Sequence, residues 1–285
     1  MKVLETEEVC FSYDRREVLK KISFDIENNT LVSILGPNGV GKTTLLKCIC
    51  NLHKPTSGTV RIDGQDVTSM SPKELARKVA YVPQKTNATH TTVFDSVLIG
   101  RRPHVEWSMS ENDMEITWNV MGSLGLQDMS LSYVDEISGG EFQKVQIARA
   151  ITQEPSLLIL DEPSNNLDIA NQHITMRMVH HVVKEHGICT VMTMHDINLA
   201  TYYSDRYLFM KNGEVVAYGG NEVITPEIIK EVYGIEVDVI DHEGQPIVIP
   251  KKTQPQYDHI VGAGVGGHIH HHPHEHHHHH HEHEH

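Results

Sequence analysis

The chain has 285 residues, enough for one large α/β domain with an inserted subdomain but too few for two such units fused. Its 24 Lys plus Arg stand against 38 Asp plus Glu, a formal net charge of −14, which argues against a surface built to neutralise a phosphate backbone and so against nucleic acid as a main partner. No run reaches the roughly 20 apolar residues that cross a bilayer, the charged N-terminus is unlike a signal peptide, and Cys10, Cys48, Cys50 and Cys189 form no CxxC pair, so a cytoplasmic chain with reduced, packed thiols is expected.

Over residues 1–250 short apolar runs alternate with amphipathic helical stretches, the pattern of a largely parallel sheet packed with helices. The runs at 31–35, 79–82, 157–160 and 190–194 each meet polar, Gly or Pro residues at once, as buried parallel strands ending at one working edge do. The first leads into GPNGVGKT, residues 36–43, which matches GxxxxGK[ST] between a strand and a helix carrying Leu45, Leu46 and Ile49. Gly36, Gly39 and Gly41, with Pro37, Asn38 and Val40 between them, let the backbone curl so that successive N–H groups face an anion, and the helix from Lys42, Thr43 and Thr44 adds its positive end. In such a cradle Lys42 would hold the β and γ phosphates and Thr43 would ligate Mg²⁺. A Gly-rich turn without nucleotide is the plain alternative, and every filled position of the pattern speaks against it.

Residues 85–150 carry little strand pattern and read as a helical insertion, with Met114, Trp118, Met121 and Leu124 at helical spacing. Residues 137–141, ISGGE, place Ser138 three residues before Glu141, a capping box for a helix over 142–151 that leaves Gly139 and Gly140 at its start. Residues 157–163, LLILDEP, then set two carboxylates directly after an apolar run, which is costly unless a cation receives them. Asp161 would bind Mg²⁺, and Glu162 would polarise the attacking water. Alone, the pair reads equally as solvated acids ending a strand; opposite Lys42 and Thr43 it does not. Farther on, Asn212-Gly213 between two apolar runs marks a hairpin over 206–218.

With ISGGE ending 20 residues before Asp161, the chain resembles the ATP-binding subunits of ABC transporters, whose signature is usually LSGGQ. Ile137 and Glu141 depart from that pattern. The resemblance covers about the first 250 residues and implies a P-loop NTPase (RecA-like) α/β core with an antiparallel β subdomain and the inserted helical subdomain. It further implies that Gln84, after the run at 79–82, touches Mg²⁺ and water, and that His195, after the run at 190–194, contacts the γ phosphate. Asp168 of SNNLD would lie at a dimer seam, and Tyr13, 23 residues before Gly36, would stack on adenine. The cofactors implied are ATP and Mg²⁺. The implied assembly is head to tail: Lys42, Thr43, Gln84, Asp161, Glu162 and His195 of one copy face Ser138, Gly139, Gly140 and Glu141 of the other. The pair would sit on the inner face of the membrane against permease subunits, served indirectly by a substrate-binding protein.

TVFDSVLIGRRPH, residues 92–104, resembles the importers of iron–siderophore complexes, haem and cobalamin. Thirteen of the 23 histidines fall from His268 onward, with Glu275, Glu282 and Glu284 among them, after a Pro, Gln and Gly linker from 251. Residues 251–285 read as a linker and disordered tail that could bind Ni²⁺, Co²⁺ or Zn²⁺, or as a purification tag; the run extends past six histidines on both sides, favouring a native tail. A native tail raises a metal cargo, nickel or cobalt included, as an alternative. The rivals of another kind are a soluble ABC ATPase acting on ribosomes or DNA and a metal-storage protein.

Overall fold

A computed structural model describes residues 2–165 and 167–252; the calls on the histidine-rich tail lie outside the described residues. The chain opens with two long strands, β1 (Lys2–Tyr13) and β2 (Arg16–Glu27), then the buried β3 (Leu31–Leu35) and helix α1 (Lys42–Ile49). Short β4 (Ser57–Ile62) and β5 (Gln65–Asp66) follow, then α2 (Pro72–Lys78) and β6 (Val79–Val82). The insertion supplies α3 (Val93–Leu98), α4 (Glu111–Ser123) and the start of α5 (Gly139–Thr152). Beyond it come β7 (Leu157–Asp161), α6 (Ile169–His186), β8 (Cys189–Thr193), α7 (Ile197–Tyr203), β9 (Arg206–Lys211) and β10 (Glu214–Gly219). Helix α8 (Pro226–Tyr233) and the hairpin β11 (Val237–His242) and β12 (Gln245–Pro250) complete the described part.

The central sheet runs β10-β9-β3-β8-β7-β6, parallel throughout except for the β10–β9 pair. Every residue of β3, β7 and β8 is buried. Helices and the second sheet cover both faces, so these strands need apolar or hydrogen-bonded side chains at every position rather than an alternation. All four apolar runs are strands within a residue of their expected bounds, and their carboxyl ends share one edge. The β9–β10 hairpin turns at Asn212 (φ 51°) and Gly213 (φ 81°), the left-handed pair of a type I′ turn. A Cβ on Gly213 would stand 2.3 Å from the Val18 carbonyl oxygen, so only glycine seats this turn against β2.

The second sheet, β2-β1-β4-β5, is antiparallel. Register irregularities along β1, including one between Thr6 and Val9, break its inside–outside alternation, and Glu8 takes φ 44° there. Cys48, Cys50 and Cys189 are buried free thiols; burial pushes Cys48 and Cys189 up to about 12 and Cys50 higher still, which keeps them protonated and inert. Among the described residues no helix is long and apolar enough to cross a membrane.

Helix α4 lies where the helical insertion is read, and its inner face is partly polar. Met121 and Leu124 are buried, but Met114 and Trp118 are 46% and 44% exposed, and Asp113, Thr117 and Val120 take the inner face instead. The reason is an ion pair. Arg101 donates from Nε to Asp113 Oδ1 at 2.9 Å, and from Nη1 to the Thr152 carbonyl at 2.8 Å and Glu154 Oε2 at 2.6 Å. This guanidinium ties the insertion to the last turn of α5, and Gly100 lets the backbones close, since a Cβ there would lie 2.2 Å from the Arg149 carbonyl oxygen. Hydrogen bonds from the Ser110 hydroxyl and backbone, then Arg101, hold Asp113 down to about 2. Because this folded value lies below the unfolded one, the stabilisation is complete above about pH 5 and is lost as pH falls through about 4 toward 2. Arg101→Ala strands the buried carboxylate and should cost about 3–5 kcal/mol, read as a clear fall in melting temperature at neutral pH that narrows on acidification. An unchanged melting temperature would deny Arg101 this role.

Candidate functional site

The loop after β3 forms the cradle read from the sequence. Gly36 (φ 152°) packs so tightly that a Cβ would sit 2.4 Å from the Met210 carbonyl oxygen on β9, and Gly41 (φ 110°) precedes the first turn of α1. Lys42 is 6% exposed, and its Nζ donates to the carbonyl oxygens of Gly36 at 2.6 Å and Pro37 at 3.1 Å. Burial lowers the lysine's affinity for its proton, while the charges of Glu162 and Asp161 oppose that shift. Val40 turns into the core. Asn38, Gly39, Gly41, Lys42, Thr43 and Thr44 line a cleft of about 400 Å³ with Tyr13, Arg16, Val18 and Glu162. A larger cleft of about 500 Å³ between α4, α5 and α6 includes none of these groups.

Strand β7 delivers the acid pair to this cleft. Asp161 Oδ1 accepts from Thr193 Oγ1 at 2.7 Å and from Thr43 Oγ1 at 3.2 Å, and Oδ2 accepts from the Tyr81 hydroxyl at 3.4 Å. Burial, then the nearby Asp161 charge, pushes the Tyr81 phenol up, so it remains a donor. The Thr43 hydroxyl and Asp161 carboxylate are hard oxygen donors at the mouth of an anion cradle, a set suited to Mg²⁺ shared with phosphate oxygens. Glu162 follows at φ 54°, a left-handed conformation rare for glutamate and held here by the surroundings, with its N–H donating to Thr193 Oγ1 at 2.9 Å. Its carboxylate is bonded to Gln84 Nε2 and His195 Nε2, and it accepts from Asn165 Nδ2 at 2.7 Å. Thus β3, β6, β7 and β8 bring Lys42, Gln84, Glu162 and His195 to one sheet edge.

Thr193, Tyr81 and Asn165 were missed by sequence reasoning. For Thr193 a signal existed: it is a hydroxyl in an apolar run, and the β7–β8 register sets it directly opposite Asp161. Arg16 and Val18 carry no comparable mark.

The ISGGE segment behaves differently. Ser138 caps α5 with a complete capping box: its Oγ accepts from the Glu141 N–H, and Glu141 Oε2 accepts from the Ser138 N–H at 2.8 Å and hydroxyl at 2.7 Å. Those bonds hold the Glu141 carboxyl below its ordinary range, so its charge is committed to the cap. A Cβ on Gly139 would meet nothing within 4 Å, and one on Gly140 only the Asn171 amide at 3.6 Å. Packing within the chain therefore does not call for either glycine, although each weakens a helix by about 0.5–1 kcal/mol relative to Ala. Ser138, Gly139, Gly140 and Glu141 do not line the cleft that holds Lys42. Asp168 is also outside it, capping α6 through the Asn171 N–H at 2.8 Å.

A strand, a GxxxxGKT loop and a helix facing a buried aspartate define a P-loop nucleoside triphosphatase. The family model described as ABC transporter matches residues 19–165. An uncharacterized ABC transporter ATP-binding protein of Methanocaldococcus jannaschii is 48% identical over 248 residues, 87% of this chain and 98% of the relative. The petrobactin import ATP-binding protein of Bacillus subtilis is 34% identical over 247 residues, 86% of this chain and 98% of its own length. Among solved structures, cbiO1 of Clostridium perfringens, part of the ABC transporter complex cbiONQ, superposes with a TM-score of 0.73 at 27% identity, covering 81% of this chain and 93% of its own. The chain belongs to the ABC transporter ATP-binding family and is an ATPase of that type.

Proposed function

We propose that the chain is the motor of an importer for a metal chelate of the siderophore, haem or cobalamin class, working as a head-to-tail pair on the cytoplasmic face of a permease. The observation that supports the pairing is the glycine-bared start of α5, which does not line the chain's own phosphate cleft and whose glycines no close contact among the described residues requires. A helix start stripped of side chains suits the terminal phosphate held by a second copy. The cargo class rests on the petrobactin and ferric enterobactin relatives, the latter 31% identical in Escherichia coli. Gln84 and the insertion at 85–150 would form the cleft for a permease loop, and a substrate-binding protein would feed that permease.

Within each composite site the cradle N–H groups and Lys42 bind the β and γ phosphates. Thr43, Asp161 and Gln84 would hold Mg²⁺, which neutralises phosphate charge when bound. Glu162 accepts the proton of the attacking water, His195 orients on the γ phosphate, and Tyr13 stacks on the adenine. Sedimentation of the full chain carrying Glu162→Gln should show monomers pairing when Mg-ATP is added. Binding of ATP without pairing would defeat the proposal, as would recovery of the tagged chain with ribosomes rather than membranes.

The histidine-rich 268–285 segment fits a divalent-metal-binding tail and motivates a nickel or cobalt cargo as the second reading. Equilibrium dialysis against Ni²⁺ should show uptake by the full chain that a chain ending at residue 252 lacks. Equal uptake by both would remove the tail from consideration.

A further inference from the structure

We infer that His53 is a positioning residue for the base platform, holding Tyr13 edge-on to a stacked ring pair so that its outer face is preset for a nucleobase. This rests on the reading of Tyr13 as the adenine-stacking residue. Strand β1 carries Phe11 and Tyr13, and the turn after α1 brings His53 against them. The His53 N–H bonds to the Lys47 carbonyl at 3.1 Å, and Thr56 N–H bonds to the Cys10 carbonyl at 2.9 Å, docking this turn on β1.

The tautomer follows from the partners. His53 Nδ1 lies 3.1 Å from the Leu52 carbonyl oxygen, which only accepts, so Nδ1 carries the proton. In the neutral ring Nε2 is then an acceptor, and the Tyr13 hydroxyl at 2.8 Å donates to it. The Phe11 and His53 rings are stacked, with centroids 5.1 Å apart and planes within 11°. Tyr13 stands at 85° to Phe11 and 88° to His53, with centroids at 4.8 and 5.5 Å. Two edge contacts and one hydrogen bond fix the phenol ring, yet 45% of the residue stays exposed, and it lines the cleft that contains Lys42. A ring already held loses little rotamer freedom when a base stacks on it. Helix α1 thus serves both ends of the ligand: its first residue is Lys42 at the phosphates, and His53 follows its last turn.

The test titrates the full chain by calorimetry with Mg-ADP and, separately, with Mg-tripolyphosphate, which has no base. Tyr13→Phe removes only the hydroxyl, and His53→Ala only its acceptor and ring. Each should weaken ADP about three- to tenfold, the double variant no more than the weaker single, and His53→Gln should restore most of the loss. Tripolyphosphate affinity should not move in any of them. If Tyr13→Ala weakens ADP while Tyr13→Phe and His53→Ala bind as the parent does, His53 positions nothing and this inference falls alone. If Tyr13→Ala also binds ADP normally, the platform reading falls with it. Loss of tripolyphosphate affinity in His53→Ala equal to its loss of ADP affinity would mark a general disturbance of α1 and overturn the positioning role.

Discussion

Glu162→Gln should bind Mg-ATP as tightly as the parent and hydrolyse it roughly 10²–10⁴-fold more slowly, the usual worth of a positioned general base. The binding half follows from the cradle: Lys42 donates to the Gly36 and Pro37 carbonyls, so its place does not depend on a bond to Glu162. The kinetic half follows from what surrounds the carboxylate. Gln84, Asn165 and His195 converge on its two oxygens, and the left-handed backbone at Glu162 fixes where they lie. An amide fits the same space: its oxygen can accept from Gln84 and Asn165 while its NH₂ donates to the His195 ring. It cannot take a proton from water. Single-turnover hydrolysis beside a nucleotide titration separates the two halves, and a parent-like rate would place the base elsewhere.

Gly140→Val should leave folding and single-chain ATP binding intact while cutting hydrolysis by about 10²–10³-fold, the usual cost of one lost donor to transition-state charge. Among the described residues a Cβ at this position meets only the Asn171 amide, at ordinary contact distance. A non-glycine residue in the first turn of α5 should even raise the melting temperature slightly. What it covers is the set of N–H groups at the helix start. Melting, nucleotide titration and steady-state hydrolysis on one preparation decide the matter: normal turnover would mean that no phosphate meets this helix, and the paired-motor reading would fail.

Much of this architecture is legible before any coordinates because its working parts obey local rules. Strands buried on both faces must be apolar throughout, so 31–35, 79–82, 157–160 and 190–194 stand out, and each carries a site residue just past its end. The cradle is legible because only glycine tolerates Gly36 and Gly41, and the α5 cap because Ser138 and Glu141 must be three residues apart. Most of what stays illegible has one physical origin, polar groups satisfied by partners distant in sequence. Asp113 takes a core position through Arg101, which pushes Met114 and Trp118 outward against their hydropathy. Thr193 is silent until the register sets it beside Asp161, and His53 until β1 and the turn after α1 meet. The β11–β12 hairpin, turning at Glu243 and Gly244 with φ 54° and 82°, was also legible in principle but went unread.

Asn198 stitches that hairpin to α7, beside the packing of Val248 and Leu199 in one apolar core. Asn198 donates from Nδ2 to the Val248 carbonyl at 3.1 Å and accepts from the Val248 N–H at Oδ1, 2.8 Å, imitating the backbone of a neighbouring strand. Helix α7 begins two residues after His195. Loss of Val248 would strip the Asn198 amide of both these partners at the foot of α7, so damage to this hairpin should be felt as a loosening two residues from His195.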